Sequence, residues 1–203
     1  GVSIYKRNIE KERYTLMTEK DLRFVVSVLK GESPTREPDW YAVLGFLSCH
    51  RIAGLFYNRA QGCEINLPKK VEKLLKETYE KQRRKLVFMR KELSLITQKL
   101  SEVKAPYMLL KGSVLSNLCE EDTKVYSDGE RVSNDIDLLC QQDGITAISK
   151  ALYDLGFVQG IYDSTTDTIK EFSRLEIVKR RMNRGEVAPF VKKTGNSEFP
   201  FVE

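Results

Sequence analysis

The sequence predicts an α+β protein, a helical first half followed by a small sheet with flanking helices. Three observations carry this. Residues 69 to about 103 keep a helical repeat of apolar residues on one face. Beyond Pro106 the pattern changes to short apolar runs closed by glycine or polar loops. The region between Asp143 and Gly156 returns to a helical period before another short apolar run. The boundary implied by this change divides the chain into an N-terminal helical region, 1–104, and an α/β core, 105–203.

Each element has its own signal. Thr18 ahead of Glu19-Lys20-Asp21 is a helix N-cap, Leu22, Val25, Val26 and Leu29 make an apolar stripe, and Gly31 is a stop. The segment GESPTREPD carries two prolines and reads as a loop. A second helix is expected from Trp40 to Ala60, with Val43, Leu44, Leu47, Ile52, Leu55 and Phe56 inward. Gly45 and Gly54 weaken it and point to close packing or a break. In the long helix, Val71, Leu74, Leu75, Leu86, Met89, Leu93, Ile96 and Leu100 share a face, interrupted at Gln82. After it, YMLLKG is a strand, residues 113 to 119 a helix, residues 120 to 134 a polar loop, and NDIDLLC a strand. Residues 143 to 155 form a helix stopped by Gly156, residues 157 to 161 a third strand, and FPFVE the start of another.

Composition excludes several classes. Apolar residues make up 41% and charged residues 31%, an ordinary mixture with enough material for a core. No apolar run approaches the roughly 18 to 20 residues needed to cross a bilayer, and GVSIYKRNIE lacks the apolar segment of a secretory signal. A cytoplasmic location away from membranes is therefore expected. Cys49, Cys63, Cys119 and Cys140 form no C-x-x-C pair, which argues against zinc and for buried free thiols. His50, the single histidine, lies in the apolar stretch FLSCHRIAGLFY and reads as a helix residue rather than a catalytic one. The net charge of +5 is uneven. Residues 69–91 hold ten basic residues against three Glu, and residues 174–184 hold five against Glu176. The first patch reads as a solvated helix face, no interleaved aromatics mark either patch as a nucleic-acid surface, and nucleic acid is not an expected partner.

The candidate chemistry begins at Asp135-Ile136-Asp137. On a strand, alternation puts both aspartates on one face and Ile136 on the other. Two same-side carboxylates repel unless a cation shares them, and hard oxygen ligands suit Mg²⁺ (or Mn²⁺). A D-x-D pair alone recurs by chance. A second element sits upstream, where the strand PYMLLKG ends in Gly112-Ser113. Glycine lets backbone approach a phosphate, a following helix N-terminus supplies N–H groups, and Lys111 or the Ser113 hydroxyl adds contacts. Arg131, four residues before Asp135, is placed to neutralise a triphosphate or to tether the loop.

Together, LLKGS, a loop with Tyr126, Gly129 and Arg131, and then NDIDLL resemble the nucleotidyltransferase superfamily. The chain is most similar to a bacterial nucleotidyltransferase family with an L-K-G…R-x-x-x-D-I-D-L-L signature. The lead W-x-x-x-L-x-F-L-x-x-H-R-I-x-G-L is also similar to that family, so the resemblance covers about residues 39 to 161. It implies a nucleotidyltransferase-like mixed sheet with flanking helices, a divalent metal at Asp135 and Asp137, and nucleotide phosphates at the Gly-Ser turn. The partners it implies are a nucleoside triphosphate or sugar nucleotide and a small-molecule or peptide hydroxyl acceptor. The superfamily adds a third carboxylate from a later strand. It is expected beyond residue 203, with Glu203 as the alternative. The leading function is metal-dependent nucleotidyl transfer. A catalytically silent, antitoxin-like binding module and a D-x-D glycosyltransferase are the alternatives, the second disfavoured by the L-K-G-S turn and Arg131.

Overall fold

A computed structural model of the chain describes residues 17–115, 125–184 and 187–203. It is α+β, with seven α-helices and six strands among the described residues. The first part holds helices α1 (Glu19–Leu29), α2 (Trp40–Cys49), α3 (Ala53–Ala60) and the long α4 (Lys69–Ser101). Then follow β1 (Tyr107–Leu110), the short α5 (Gly112–Leu115) and β2 (Asp137–Cys140). A 3-10 turn at Gln142–Gly144 leads into α6 (Ile145–Asp154), β3 (Val158–Asp163) and β4 (Thr168–Glu171). Helix α7 (Arg174–Arg184), β5 (Phe190–Lys193) and β6 (Phe201–Val202) complete the order. Contacts group the described residues into two units, one from residues 17–84 with Tyr126–Val132, the other from residues 85–115 and Val125 with the described part of Ser133–Glu203. The division falls inside α4, whereas the composition changes at Pro106.

The first unit is built on helix packing. Phe24, Val25 and Val28 of α1, Val43 and Leu47 of α2, Phe56 of α3 and Val71 and Leu75 of α4 form one cluster. Thr18 caps α1 as expected, in a reciprocal box with Asp21. The buried face of α1, however, runs one residue ahead of the expected stripe. Leu22 and Val26 are exposed, while Asp21, Phe24, Val25 and Val28 are buried. The reason is Asp21, a charged residue that earns an interior place through its hydrogen bonds. Its Oδ1 accepts from the Asp39 N–H at 2.9 Å, its Oδ2 from the Thr18 hydroxyl at 2.6 Å and the Thr18 N–H at 3.1 Å. One carboxylate thus ties the starts of α1 and α2 together.

The expected single helix over 40–60 is two helices. The break is neither glycine's doing at Gly45, which has open space beside it, nor a proline's. Arg51 takes a left-handed conformation (φ 56°) and Ile52 N–H reaches back to Leu47 O at 2.9 Å, the closing bond of a helix C-terminus. Gly54 instead serves close packing, for a Cβ there would run into Gly129 O. Gln82, the interruption in the α4 stripe, meets the same loop. With its amide oriented to donate, it reaches Gly129 O at 2.6 Å and Glu130 O at 3.2 Å. The stripe otherwise buries as expected, except that Leu74 is half exposed.

The second unit carries two sheets, and every described pairing is antiparallel. β1 pairs with β2, with Leu110 opposite Asp137. The other sheet has the order β4-β3-β5-β6. The Ile136 N–H donates to Glu203 O at 2.8 Å, which brings the end of β6 beside the start of β2. Leu86, Met89, Leu93, Ile96 and Leu100 of α4 are buried, as are Ile148, Leu152, Phe157, Val191, Phe199 and Val202. Within this core Lys192 pairs with Glu92 and lies over the Phe157 ring. Cys49 is exposed and Cys63 and Cys140 are half-buried free thiols, so these three are not the buried thiols expected; Cys119 lies outside the described residues.

Candidate functional site

The register explains how the acidic motif meets the upstream turn. Because Leu110 stands opposite Asp137, the next residue, Lys111, lies at the rim beside it. Lys111 Nζ approaches Asp137 Oδ1 at 3.1 Å. Lys111 itself has φ 53°, the left-handed region that costs a non-glycine residue energy. It turns the chain from β1 into α5, where Leu115 N–H bonds back to Lys111 O. Ser113 is buried, and its hydroxyl acts inside the protein. It donates to Leu110 O at 3.0 Å and accepts from Asp137 N–H at 3.2 Å. This side chain therefore clasps the end of β1 to the start of β2. Gly112 packs against the acidic loop, where a Cβ would lie 2.6 Å from the Ser133 Cβ. Glycine is required here by the approach of another side chain.

The aspartates differ in setting. Asp137 opens β2 and is half-buried, while Asp135 lies in the bend before the strand and is exposed. The strand face expected to carry both thus begins only at Asp137. Asp135 Oδ1 accepts from the Ser133 hydroxyl at 2.9 Å, and Lys85 reaches the neighbouring Asn134 side chain. Ser133 was not among the sequence candidates; its S-x-D spacing is the only signal it leaves. Glu203 is the third acid of the neighbourhood. Partial loss of solvent around the charged form, and then the negative charges of Asp135 and Asp137, hold its carboxyl above the usual range. The residue as a whole is still exposed. Among the described residues, no group of three acidic, histidine or cysteine side chains converges on one ion position.

Lys111, Gly112, Ser113, Asp135 and Asp137 are thus brought together at one end of the β1–β2 pair. Arg131 belongs to the other unit, in the segment 126–132. Its guanidinium donates to the Tyr126 hydroxyl at 3.1 Å and lies over the Tyr126 ring, 5.5 Å from the centroid. The residue before it, Glu130, is buried and anchors the segment. It accepts from Asn58 Nδ2 and from Ser127 N–H, each at 2.7 Å. Sequence inspection missed Glu130, since a charged residue in a polar loop gives no sign of burial.

No helix among the described residues is long and apolar enough to cross a membrane. No curated protein and no solved structure matches the chain. A family model described as an uncharacterised nucleotidyltransferase matches residues 36–192, well over half of the 203 residues. The match spans both the helical lead with Gly54 and the turn and acidic strand with Lys111, Gly112, Asp135 and Asp137. The chain belongs to this uncharacterised nucleotidyltransferase family.

Proposed function

We propose that the protein transfers a nucleotidyl group from a nucleoside triphosphate to a hydroxyl acceptor, with Asp135 and Asp137 holding Mg²⁺ or Mn²⁺. The observation that carries this is the meeting of the Lys111–Ser113 turn with the start of β2, where Lys111 Nζ lies 3.1 Å from Asp137 Oδ1 and the Ile136 N–H, between the two aspartates, donates to Glu203 O. Like charges gathered at one rim are costly unless a cation or a proton is shared. The donor set, carboxylate oxygens beside open solvent, fits a hard divalent ion that keeps positions for phosphate oxygens. A metal there would polarise the acceptor oxygen and neutralise charge on the triphosphate.

The chain's own residues supply the rest. Ser113 and Gly112 hold the turn tight against the acidic loop, so Asp137 keeps its position. Lys111, paired with Asp137, is a mobile cation that a phosphate recruits in exchange. The turn offers phosphate its backbone and Lys111, because the Ser113 hydroxyl is already committed. Glu203 takes the proton of the acceptor hydroxyl as the new O–P bond forms and the bond to pyrophosphate breaks. A carboxyl held above its usual range is the better base near neutral pH.

The second reading is a silent binding module of the same family. The Lys111–Asp137 ion pair favours it, since a lysine there compensates the acid without metal. Calorimetric titration of Mg²⁺ and of each nucleoside triphosphate into wild type and Asp137→Asn separates the two. We expect saturable metal-dependent nucleotide binding that Asp137→Asn removes. If the variant keeps the wild-type Mg²⁺ dependence, the metal role is wrong.

A further inference from the structure

A concave site lies in the sheet unit, between α6, β3 and α7, with a volume of 380 Å³. That is within the range of small-ligand pockets. It is not part of the acidic rim. Gln159 stands opposite Phe190, and Lys192 opposite Val202. Strand alternation therefore puts Gln159, on the cleft side, on one face of the four-stranded sheet, and Phe201 and Glu203 on the other.

The walls are chemically sorted. Ile145 and Ile177, with the buried Ala188, give an apolar floor. The polar wall is already tied up. The Tyr153 hydroxyl donates to Gln159 Oε1 at 2.9 Å, and Gln159 Nε2 donates to Ala188 O at 3.2 Å. These bonds fix the wall before any ligand arrives. What remains at the mouth is positive. Lys150 comes from α6 and Arg181 from α7, and no acid lines the cleft. Among the described residues neither cation has an ion-pair partner. Two cations sharing a cleft with an apolar floor repel each other, and an anion with an apolar body relieves both features at once.

We propose that this cleft binds a small organic anion, its apolar body against Ile145, Ile177 and Ala188 and its carboxylate or phosphate between Lys150 and Arg181. The volume suits one small molecule rather than a polymer surface. The inference is independent of the metal site and survives its failure.

The test is titration of the full chain with phenyl phosphate, benzoate and inorganic phosphate, followed by amide chemical-shift changes. Phenyl phosphate or benzoate should saturate with Kd below about 1 mM, and inorganic phosphate should bind roughly tenfold more weakly for lack of the apolar body. The stronger of the two organic probes identifies the head group. Shifts should centre on Ser149, Gln159 and Ile177. The double variant Lys150→Met/Arg181→Met keeps the aliphatic stems of two exposed residues and should weaken binding at least roughly tenfold. Asp137→Asn should leave it unchanged. Unaltered affinity in the double variant, shifts centred on Lys111 to Ser113, or no saturation by about 10 mM would each overturn the proposal.

Discussion

The acids of the helical unit and those of the sheet unit face opposite physical situations. Asp21 and Glu130 are buried, yet their oxygens are met by donors, from Thr18 and Asp39 in one case and from Asn58 and Ser127 in the other. Hydrogen bonding to Thr18, and then to the Asp39 N–H, holds the Asp21 carboxyl below its usual value. Asp135, Asp137 and Glu203 are more exposed and more crowded, and Glu203 is held above its usual value. A carboxylate used for structure is supplied with donors by the fold. At the rim Asp137 meets Lys111 and Asp135 meets the Ser133 hydroxyl at the protein surface, and in the function proposed above a metal ion would share them.

Acid-to-neutral substitutions should therefore differ in sign between the two regions. The largest loss is expected at Glu130. Glu130→Ala strands the Asn58 amide and the Ser127 N–H and should cost about 3 kcal/mol in urea unfolding. A loss below about 0.5 kcal/mol would show that the segment 126–132 is held by something else. Next, Gly54→Ala forces a methyl into Gly129 O and should cost about 2 kcal/mol, seen as a lower urea midpoint with an unchanged slope.

Asp21→Asn follows, at about 1.5 kcal/mol, because one charged acceptor serves three donors. Its pH signature is specific. With the folded value below the ordinary 3.8, the stability that Asp21 contributes is present above that pH and is lost as pH falls through the folded value. Melting temperatures of wild type and Asp21→Asn should therefore converge in acid.

The smallest change in stability is expected at the rim, where Asp137→Asn and Glu203→Gln should leave unfolding unchanged or slightly improved. Here the pH sign reverses. Glu203 favours the folded state fully below its ordinary 4.5, and that advantage is lost as pH rises through its raised folded value. Glu203→Gln should flatten this decline. A melting-temperature drop of several degrees in either rim variant would place these acids with Asp21 and Glu130 as structural groups.

Much of the fold was legible. The Thr18 cap, the long helix with its apolar face, the β1 run ending in Lys111-Gly112, and the Gly156 stop each rest on a local signal, and each is found. The departures have separate causes. The buried face of α1 runs one residue ahead of the apolar stripe because Asp21 is held inward by Thr18 and by the Asp39 N–H, and Glu130 is buried through Asn58, remote in sequence, as well as Ser127. Strands β4 and β5 were missed because short pieces such as TIKE carry no alternation long enough to register and exist by pairing with β3.

The sequence by itself determined the helical and strand character, the family, and the residue types of the candidate site, because caps, periods and motifs act within a few residues of themselves. Only the tertiary structure decided that Ser113 is a clasp, that Gly112 makes room for Ser133, that Gly54 makes room for Gly129, and that Glu203 lies beside the two aspartates. Each of these is a meeting of segments at least twenty residues apart. Close approach and the sharing of charge depend on distance in space, which local pattern does not encode.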